Sequence, residues 1–263
     1  MCTLFFAHKA HPKYRFILIG NRDEFLNRPT ETAHFWADKP AIFGGRDLQA
    51  GGTWLALSQN GRFATLTNYR DPQNIRKDAP SRGDLGIDFL ENEMTPLAYM
   101  QSLQAEAHLY NGYNLLTYEK GELAYFSNIE NAPKSLEKGI YAVSNHLLDT
   151  PWPKVAENKA LFSQLLAENT GVFPLEKAFS LLQNTATFPP EKLPKTGVPP
   201  EWEKLLSALF IISPTYGTRV STVVLEDYEG NFYMEERAYK VENGQIVVVS
   251  RRFNRRFSQI KCL

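Results

Sequence analysis

Antiparallel hairpins are the sequence feature that most constrains the fold of this chain. Apolar runs at residues 53–58 and 62–68 flank the dipeptide Asn60-Gly61, whose positive φ angles suit the tight turn between twisted antiparallel strands. Two further apolar runs, at residues 2–7 and 15–20, are joined by a polar turn and predict a hairpin at the N-terminus. We therefore expect antiparallel sheets.

Predicted helices lie apart from the predicted strands along the chain. Ser81 and Asp84 resemble a capping box, and apolar residues then recur at helical spacing through Leu103. Further helical patterns cover Pro153–Glu168 and residues 175–184. Further strands are predicted at residues 113–118, 122–127, 140–144, 208–212, 219–226, 232–239 and 245–250. This segregation predicts an α+β fold in which two sheets lie between helical layers.

Length and composition favour one large domain. The chain has 263 residues, of which 43% are hydrophobic, and sheet-rich folds of this size are often undivided. We therefore predict a single domain over residues 1–263. Five prolines between residues 187 and 200 predict a stiff, non-helical connector, which is either a lid or a surface strap.

Charge balance argues against nucleic acid and anionic lipid as partners. Twenty-nine Lys and Arg residues match twenty-nine Asp and Glu residues, so no overall field attracts polyanions. Residues 251–257 interleave four arginines with two phenylalanines, a pattern that can stack on single-stranded nucleic acid. With zero net charge, an edge strand with solvated arginines is the favoured interpretation.

The two cysteines indicate a reducing compartment. Cys2 and Cys262 lie at opposite ends of the chain and form neither a disulfide framework nor metal-ligand spacing. The apolar runs near the N-terminus are too short for a membrane span and are interrupted by basic residues. We therefore predict a cytoplasmic protein with no metal site and no stable membrane insertion.

Cys2 is the first candidate functional residue, because only Met1 precedes it. If Met1 is removed, one residue carries both a thiol and an α-amino group. The reference pKa values of these groups are about 8.5 and about 7.7–8.0, so the amine can accept the thiol proton near neutral pH. The alternative is that Cys2 is a small apolar residue that begins a core strand.

A polar cluster, Asn21-Arg22-Asp23-Glu24, directly follows the apolar run at residues 15–20. The N-terminal hairpin brings this cluster back beside Cys2. An N-terminal nucleophile needs a carboxylate to orient its amine, a role that suits Asp23. It also needs a cation to lower the thiol pKa or hold a substrate oxygen, a role that suits Arg22. The alternative is an exposed charged turn.

Three more polar residues lie at the ends of predicted strands. Asn68 and Asn145 each close a strand, where an amide can donate a hydrogen bond to a developing oxyanion, although asparagine is also a common turn former. Arg219 opens an apolar strand, either as a snorkelling edge residue or as an anion clamp.

Taken together, several short motifs resemble the NRDE family, the transport and Golgi organisation protein 2 type. These motifs are Met1-Cys2-Thr3, Asn21-Arg22-Asp23-Glu24, Arg28-Pro29, Gly44-Gly45-Arg46-Asp47, Gly51-Gly52-Thr53-Trp54-Leu55, Thr67-Asn68, Ser81-Arg82-Gly83, Ser144-Asn145 and Thr218-Arg219-Val220-Ser221-Thr222. The resemblance spans nearly the whole chain. The family is itself similar to the N-terminal-nucleophile hydrolases of the choloylglycine hydrolase and penicillin V acylase kind, which implies a four-layer αββα sandwich.

The wider resemblance also implies roles for individual residues. The residues it implies for catalysis are Cys2, Arg22, Asp23, Asn68, Asn145 and Arg219. The residues it implies for substrate binding are Asn21, Glu24, Arg28, Trp54, Ser81 and Arg82. In this scheme Cys2 is the nucleophile, its freed amine is the base, and Asp23 holds the amine. Arg22 lies beside the thiolate, the two asparagines contact the oxyanion or substrate amide, and Arg219 closes the site. Trp54 either lines the pocket or fills the core, and the core is favoured.

Two functions are open at this stage. The first is an N-terminal-cysteine hydrolase that cleaves an amide or thioester bond of an acylated small molecule through an acyl-enzyme on Cys2 and requires no cofactor. The second is a non-catalytic protein of the same fold that binds and traffics haem, acyl-CoA or another lipid. Haem would take an axial ligand from Cys2 or from a histidine. The histidines are His8, His11, His34, His108 and His146. Neither function predicts an oligomeric state.

Overall fold

Two antiparallel sheets form the centre of the molecule. The computed structural model describes residues 2–255. Its strands are β1 (Cys2–His8), β2 (Tyr14–Phe25), β3 (Thr30–Phe35), β4 (Ile42–Asp47), β5 (Leu55–Ser58), β6 (Phe63–Asn68), β7 (Tyr113–Glu119), β8 (Glu122–Ser127), β9 (Lys134–Ser135), β10 (Gly139–Val143), β11 (Tyr216–Asp227), β12 (Phe232–Glu242) and β13 (Gln245–Arg255). The first sheet has the order β10-β1-β2-β11-β12-β13, and the second runs from β3 to β9 in chain order.

Helices cover the outer faces of both sheets. They are α1 (Gly83–Glu91), α2 (Pro96–Ser102), α3 (Pro153–Glu168), α4 (Leu175–Leu182) and α5 (Pro200–Leu205). Phe162 of α3 and Phe179 of α4 pack on the first sheet, while Leu85 of α1 and Tyr99 of α2 pack on the second. A third apolar cluster fills the space between the sheets. The molecule is thus a four-layer αββα sandwich, which confirms the predicted fold class.

The alternation of side chains along β1 fixes the direction of Cys2. Leu4 and Phe6 belong to the cluster between the sheets, whereas Phe5 and Ala7 pack under the helices. Side chains two residues apart share a face of a strand. The thiol of Cys2 therefore lies on the face that looks toward the second sheet.

The hairpin at Asn60-Gly61 forms as predicted, but its turn has a different geometry. The Ser58 amide donates to the Arg62 carbonyl at 2.8 Å, which leaves three residues in the loop. Gly61 has φ +76°, whereas φ of Asn60 is not positive. This pattern fits a three-residue loop with a left-handed glycine rather than a two-residue turn, because a two-residue type I′ turn needs two positive φ angles.

Several predicted boundaries are corrected. β2 continues to Phe25, so the cluster at residues 21–24 lies within a strand rather than after it. Residues 208–212 form no strand, although four of them are buried. The helical pattern from Ser81 divides into α1 and α2, because Pro96 begins a new helix with Thr95 as its N-cap. The predicted capping box does not form: Arg82 is the N-cap of α1, and Ser81 Oγ instead accepts a hydrogen bond from the amide of Gly83, the first residue of α1, at 3.2 Å.

The C-terminal strand β13 is an edge strand of the first sheet, as predicted, and Arg251 and Arg252 are exposed on it. Arg256, Phe257 and Cys262 lie outside the described residues. Within residues 2–255, no helix is long and apolar enough to cross a membrane.

Candidate active site

Cys2 lies at the wall of a cleft between the two sheets. It pairs in register with Arg22 of β2 and lines a cavity of about 560 Å³. The residue is only 7% exposed. Burial raises the pKa of the Cys2 thiol, and the charge of Arg22 partly offsets this rise. The thiolate therefore needs a nearby base or cation to form at neutral pH.

Basic side chains outnumber acidic ones around this cleft. The basic lining residues are Arg22, Arg28, Arg76, Lys77 and Arg82, and the acidic ones are Glu24 and Asp47. Asp47 Oδ2 lies 2.6 Å from Arg28 Nε and 3.3 Å from Arg22 Nη2. These ion pairs hold the pKa of Asp47 below its usual range despite its partial burial, which raises it. The cleft is thus suited to an electronegative group.

Trp54 contributes to both the core and the cleft. Its ring belongs to the apolar cluster between the sheets and also lines the cavity beside Cys2. The Arg22 guanidinium lies over this ring at 4.3 Å from its centroid. A cation above an aromatic face is held by the ring quadrupole. Trp54 therefore fixes the orientation of Arg22.

Asp23 and Asn21 lie on the opposite face of β2, under the helices. Asp23 is fully buried and accepts a hydrogen bond from Thr218 Oγ1 at 2.6 Å. Burial raises the pKa of Asp23, and the charge of Lys154 opposes this rise. Asn21 donates to two main-chain carbonyls, at 2.8 Å and 2.9 Å, and accepts from Ser221. The structure therefore does not bring Asn21 to the cleft.

The two asparagines implied for oxyanion contacts are neighbours, but they differ in access. Asn68 lines the cleft. Asn145 is buried, and its Nδ2 donates to the Asn68 carbonyl at 2.9 Å. Ser144 Oγ lies 3.3 Å from Asn145 Oδ1 and 3.2 Å from the Cys2 carbonyl. Asn145 thus supports the strand end that carries Asn68, and it does not line the cleft.

Ser81 and Arg82 line the cleft, next to a close backbone contact between two glycines. Both residues line the cavity, and Arg82 Nη1 donates to the Gly112 carbonyl at 3.0 Å. A Cβ atom added to Gly52 would lie 2.5 Å from the Gly83 carbonyl carbon, closer than two non-bonded carbons approach. The backbone contact between Gly52 and Gly83 therefore sets the position of the segment before α1.

Arg219 lies outside the cleft and braces the loop beside it. Its Nη1 donates to the Phe25 carbonyl at 2.9 Å and to the Arg28 carbonyl at 3.1 Å. The β2–β11 register shifts between Thr218 and Val220, at the position of Arg219. A bulge of this kind redirects a side chain out of the strand pattern. Arg219 therefore fixes the loop that carries Arg28.

An apolar groove of about 690 Å³ continues from the cleft. The two cavities share Glu24, Phe25, Asn68, Arg76, Arg82 and Asn111. Apolar and aromatic residues of the groove include Ile75, Tyr110, Ile129, Val198, Trp202 and Tyr216. The connector at residues 187–200 supplies Val198, and its Thr196 amide donates to Glu203 Oε1 at 2.7 Å. This connector therefore contributes to one wall of the groove.

The buried charges near Cys2 have no signature in the sequence. Lys154, Arg70 and Glu203 are largely buried near Asp23. No local signal marks Lys154, because a lysine in the first turn of a helix reads as a surface residue. Asp47 was within reach of the sequence, since it ends the Gly-Gly-Arg-Asp motif.

The histidines are dispersed in the fold. His8 and His11 are buried and hydrogen-bond main-chain carbonyls, and His146 lies 2.8 Å from Thr150 Oγ1. His108 lines the apolar groove. In the part of the chain that the structure describes, no three His, Cys, Asp or Glu residues are grouped as metal ligands.

A comparison with solved structures identifies the fold. A solved structure of the C2A mutant of conjugated bile acid hydrolase from Clostridium perfringens is similar to this chain, with a TM-score of 0.50 and 9% identity. The match covers 97% of this chain and 96% of that one. The fold is that of the N-terminal-nucleophile hydrolases.

Sequence comparisons give the family. The model of the family described as Transport and Golgi organisation 2 matches residues 1–241. The Transport and Golgi organization protein 2 homologs of Bos taurus and Homo sapiens are 36% and 35% identical to this chain. Each match covers 90% of this chain and 93% of the relative. The chain therefore belongs to the Transport and Golgi organisation 2 family, as its motifs predicted.

Proposed function

We propose that this protein is an N-terminal-cysteine hydrolase that cleaves the amide or thioester bond of an acylated small molecule. The observation that carries this proposal is the position of Cys2, which lines a cationic cleft that continues into an apolar groove. Ligand sites in proteins combine such apolar walls with a few placed polar groups. In this proposal the acyl chain lies in the groove and its carbonyl carbon lies at the thiol.

The first half of the reaction acylates Cys2. Once Met1 has been removed, the α-amine takes the thiol proton, and the sulfur forms a bond to the substrate carbonyl carbon. The carbonyl electron pair moves to the oxygen, where an amide donor such as Asn68 stabilises the negative charge. The electron pair then re-forms the carbonyl, the bond to the leaving nitrogen or sulfur breaks, and the ammonium returns its proton to that atom.

The second half of the reaction releases the acyl group. The free amine takes a proton from water, and the hydroxide oxygen bonds to the thioester carbonyl carbon. The carbon–sulfur bond breaks, the ammonium proton passes to the sulfur, and a carboxylic acid leaves. Cys2 is restored with its thiol and neutral amine, so the cycle needs no cofactor.

Neighbouring residues support these steps from two sides. Arg22 faces the thiol from the cleft and offsets the effect of burial on its pKa. Asp23 is proposed to hold the amine from the helix side, since its charge also acts on Cys2. Glu24, Arg28, Ser81 and Arg82 are proposed substrate contacts along the cleft. Asn145 and Arg219 are proposed to act by positioning Asn68 and Arg28.

A carrier of haem, acyl-CoA or another lipid is the second candidate function. The observation that favours it is the open apolar groove, which can hold an acyl chain or a flat macrocycle without any chemistry at Cys2. His108 is the histidine in the lining of this groove, and it is exposed. An imidazole in that position is a candidate axial ligand.

Intact-mass spectrometry tests the two candidates. Untagged protein is treated with a decanoyl thioester of N-acetylcysteamine and with decanoyl p-nitroanilide. We expect loss of Met1 and a decanoyl adduct on the wild type and on Cys262→Ala, and no adduct on Cys2→Ala. Retained Met1 would exclude the amine as the base. Loss of Met1 without an adduct or turnover would favour the carrier.

A further inference from the structure

Four charged side chains form a largely buried cluster near Cys2. They are the carboxylates of Asp23 and Glu203 and the cations of Arg70 and Lys154. Arg70 Nη1 donates to Glu203 Oε2 at 3.0 Å. Four different parts of the chain supply these side chains: β2, α5, the residues after β6, and α3. The cluster is therefore assembled only in the folded protein.

Lys154 carries a buried charge within this cluster. The residue is 3% exposed, and its Nζ donates to the Leu206 carbonyl at 2.9 Å. Its charge interacts with the carboxylates of Asp23 and Glu203 and with Cys2. Lys154 also lies in the first turn of α3, where the helix dipole adds positive potential. Its charge therefore acts on several neighbouring groups.

The charge balance of the cluster decides which form of the Cys2 amine is favoured. Two carboxylates and two cations sum to zero when the amine is neutral. A protonated amine would add an uncompensated positive charge next to buried groups, which is unfavourable where water is excluded. Without Lys154, the same count would favour the ammonium form. The ammonium cannot accept the thiol proton.

We propose that Lys154 is a positioning residue that keeps the Cys2 amine unprotonated, and therefore basic, at neutral pH. This inference rests on the proposed hydrolase function. Lys154 touches neither the thiol nor the cleft, and it acts through the electrostatic potential at Asp23 and Cys2.

Other charged and titratable groups that act on this region are compatible with that role. They are Tyr216 of β11 on the helix side, and Arg22, Glu24 and Arg82 on the cleft side. Burial raises the pKa of Tyr216 well above its usual value, so this group is neutral. Burial also lowers the pKa of Lys154 to about 8, and the neighbouring Arg70 contributes to that decrease. At neutral pH the Lys154 charge is present.

The amine of the wild-type protein gives the first test. Cyanate carbamylates only the neutral form of an amine, so the modified fraction of the N-terminal peptide follows its titration from about pH 5 to about pH 9. We expect a midpoint below the usual value of about 7.7 for an α-amine. A midpoint at or above that value would overturn the proposal. This test does not depend on a substrate or on a variant that folds.

Variants at Lys154 give the second test, read as the pH profile of Cys2 acylation by the decanoyl thioester. Lys154→Met should move the acidic limb of the profile up by about one pH unit. The cluster then binds an extra proton more readily, and both possible sites, the amine and Asp23, lose their function when protonated. Lys154→Arg keeps the charge and should retain the wild-type limb. Lys177→Met removes an exposed charge from α4 and serves as the matched control.

The outcomes separate this inference from the function on which it rests. A folded Lys154→Met variant with an unchanged acidic limb would overturn the role of Lys154, and so would a Lys154→Arg variant that shifts as far as the methionine variant. A wild type that forms no acyl adduct at any pH would overturn the hydrolase itself. The carbamylation midpoint would still measure the state of the amine in that case.

Discussion

The two faces of β2 place neighbouring residues in different environments. Arg22 looks into the cleft, where it shares Asp47 with Arg28 and lies on the ring of Trp54. Asp23, one residue later, is enclosed under the helices and bonded by Thr218. Successive side chains of a strand point to opposite faces, so Arg22 and Asp23 lie on different sides of β2. One strand thus supplies both a surface for contact and an internal anchor.

This difference suggests that the cleft face serves ligand binding and the helix face serves stability. On the cleft side, Asp47 and Glu24 each have two arginine partners, so an incoming ligand can replace one of them without leaving a carboxylate alone. On the helix side, Asn21 ties β2 to the carbonyls of Leu182 and Leu209 through bonds that no ligand reaches. We therefore expect substitutions on the cleft face to change activity and those on the helix face to change stability.

The largest effect is expected for Asp23→Asn, which should change both properties. The substitution leaves Lys154 and Arg70 with one buried carboxylate, and an unbalanced buried charge typically costs about 3–5 kcal/mol of unfolding free energy. Acylation of Cys2 should be lost with it. Urea unfolding and intact mass measure the two results. Asp38→Asn, at an exposed ion pair, should leave both unchanged; equal losses in the two variants would contradict the comparison.

Asn21→Ala tests the helix face alone. It leaves the carbonyls of Leu182 and Leu209 buried without their donor. We expect the unfolding free energy to fall by about 2–3 kcal/mol, because unsatisfied buried groups are expensive. Acylation of the folded fraction should stay near the wild-type rate. A stable variant that has lost acylation would place Asn21 in the site after all.

Arg22→Gln tests the cleft face alone. Asp47 and Glu24 retain Arg28 as a partner, so the unfolding free energy should fall by only about 1 kcal/mol. The acylation rate should fall about 100-fold, the usual effect of removing one charge-stabilising donor. Stopped-flow measurement of the leaving thiol gives the rate. If stability falls as far as in Asn21→Ala, the two faces do not differ in the proposed way.

The smallest effect is expected at the mouth of the apolar groove. Ile75 is 65% exposed there, and Ile75→Asp removes apolar contact for about one or two methylenes of a bound chain. The preference for decanoyl over acetyl thioester should fall about fivefold. Val172→Asp changes a similarly exposed residue outside both cavities and should leave the ratio unchanged. If the ratio is unchanged in both variants, the acyl chain does not bind in the groove.

Most strands and helices were predictable because apolar and polar residues recur with a regular period. The wrong boundaries occur where that period is interrupted. Pro153–Glu168 was predicted to the residue, because proline begins the helix and apolar spacing continues to its end. The end of β2 was missed because Asn21 and Asp23 are polar on a buried face. β4 was missed because Gly44 and Gly45 replace apolar residues where Trp54 and Ala56 pack closely. Residues 208–212 form no strand although their pattern predicts one, because a buried loop and a buried strand have the same run of apolar residues.

The candidate site was predictable where it depends on short-range pairing. The N-terminal hairpin places Arg22 opposite Cys2, and this pairing follows from two adjacent apolar runs. The sequence could not distinguish Asn68 from Asn145, because each follows a short apolar run. In the structure Asn68 is the last residue of β6 and lines the cleft, whereas Asn145 lies two residues beyond β10 and is buried. Lys154 was not predictable from the sequence, because the groups that surround its amine come from residues at least 49 positions away in the chain.

Gly51 and Gly52 are adjacent in the chain, but backbone conformation restricts the first and a close contact restricts the second. Gly51 has φ +81° and open space around its Cα, so handedness is its only restriction. Gly52 has no room for a carbon atom because Gly83 is there. An L-alanine is therefore disfavoured at Gly51 by the positive φ angle and at Gly52 by contact with the Gly83 backbone. The absence of a side chain at Gly52 thus lets the loop after β4 pack directly against the start of α1, next to Arg82 in the wall of the cleft.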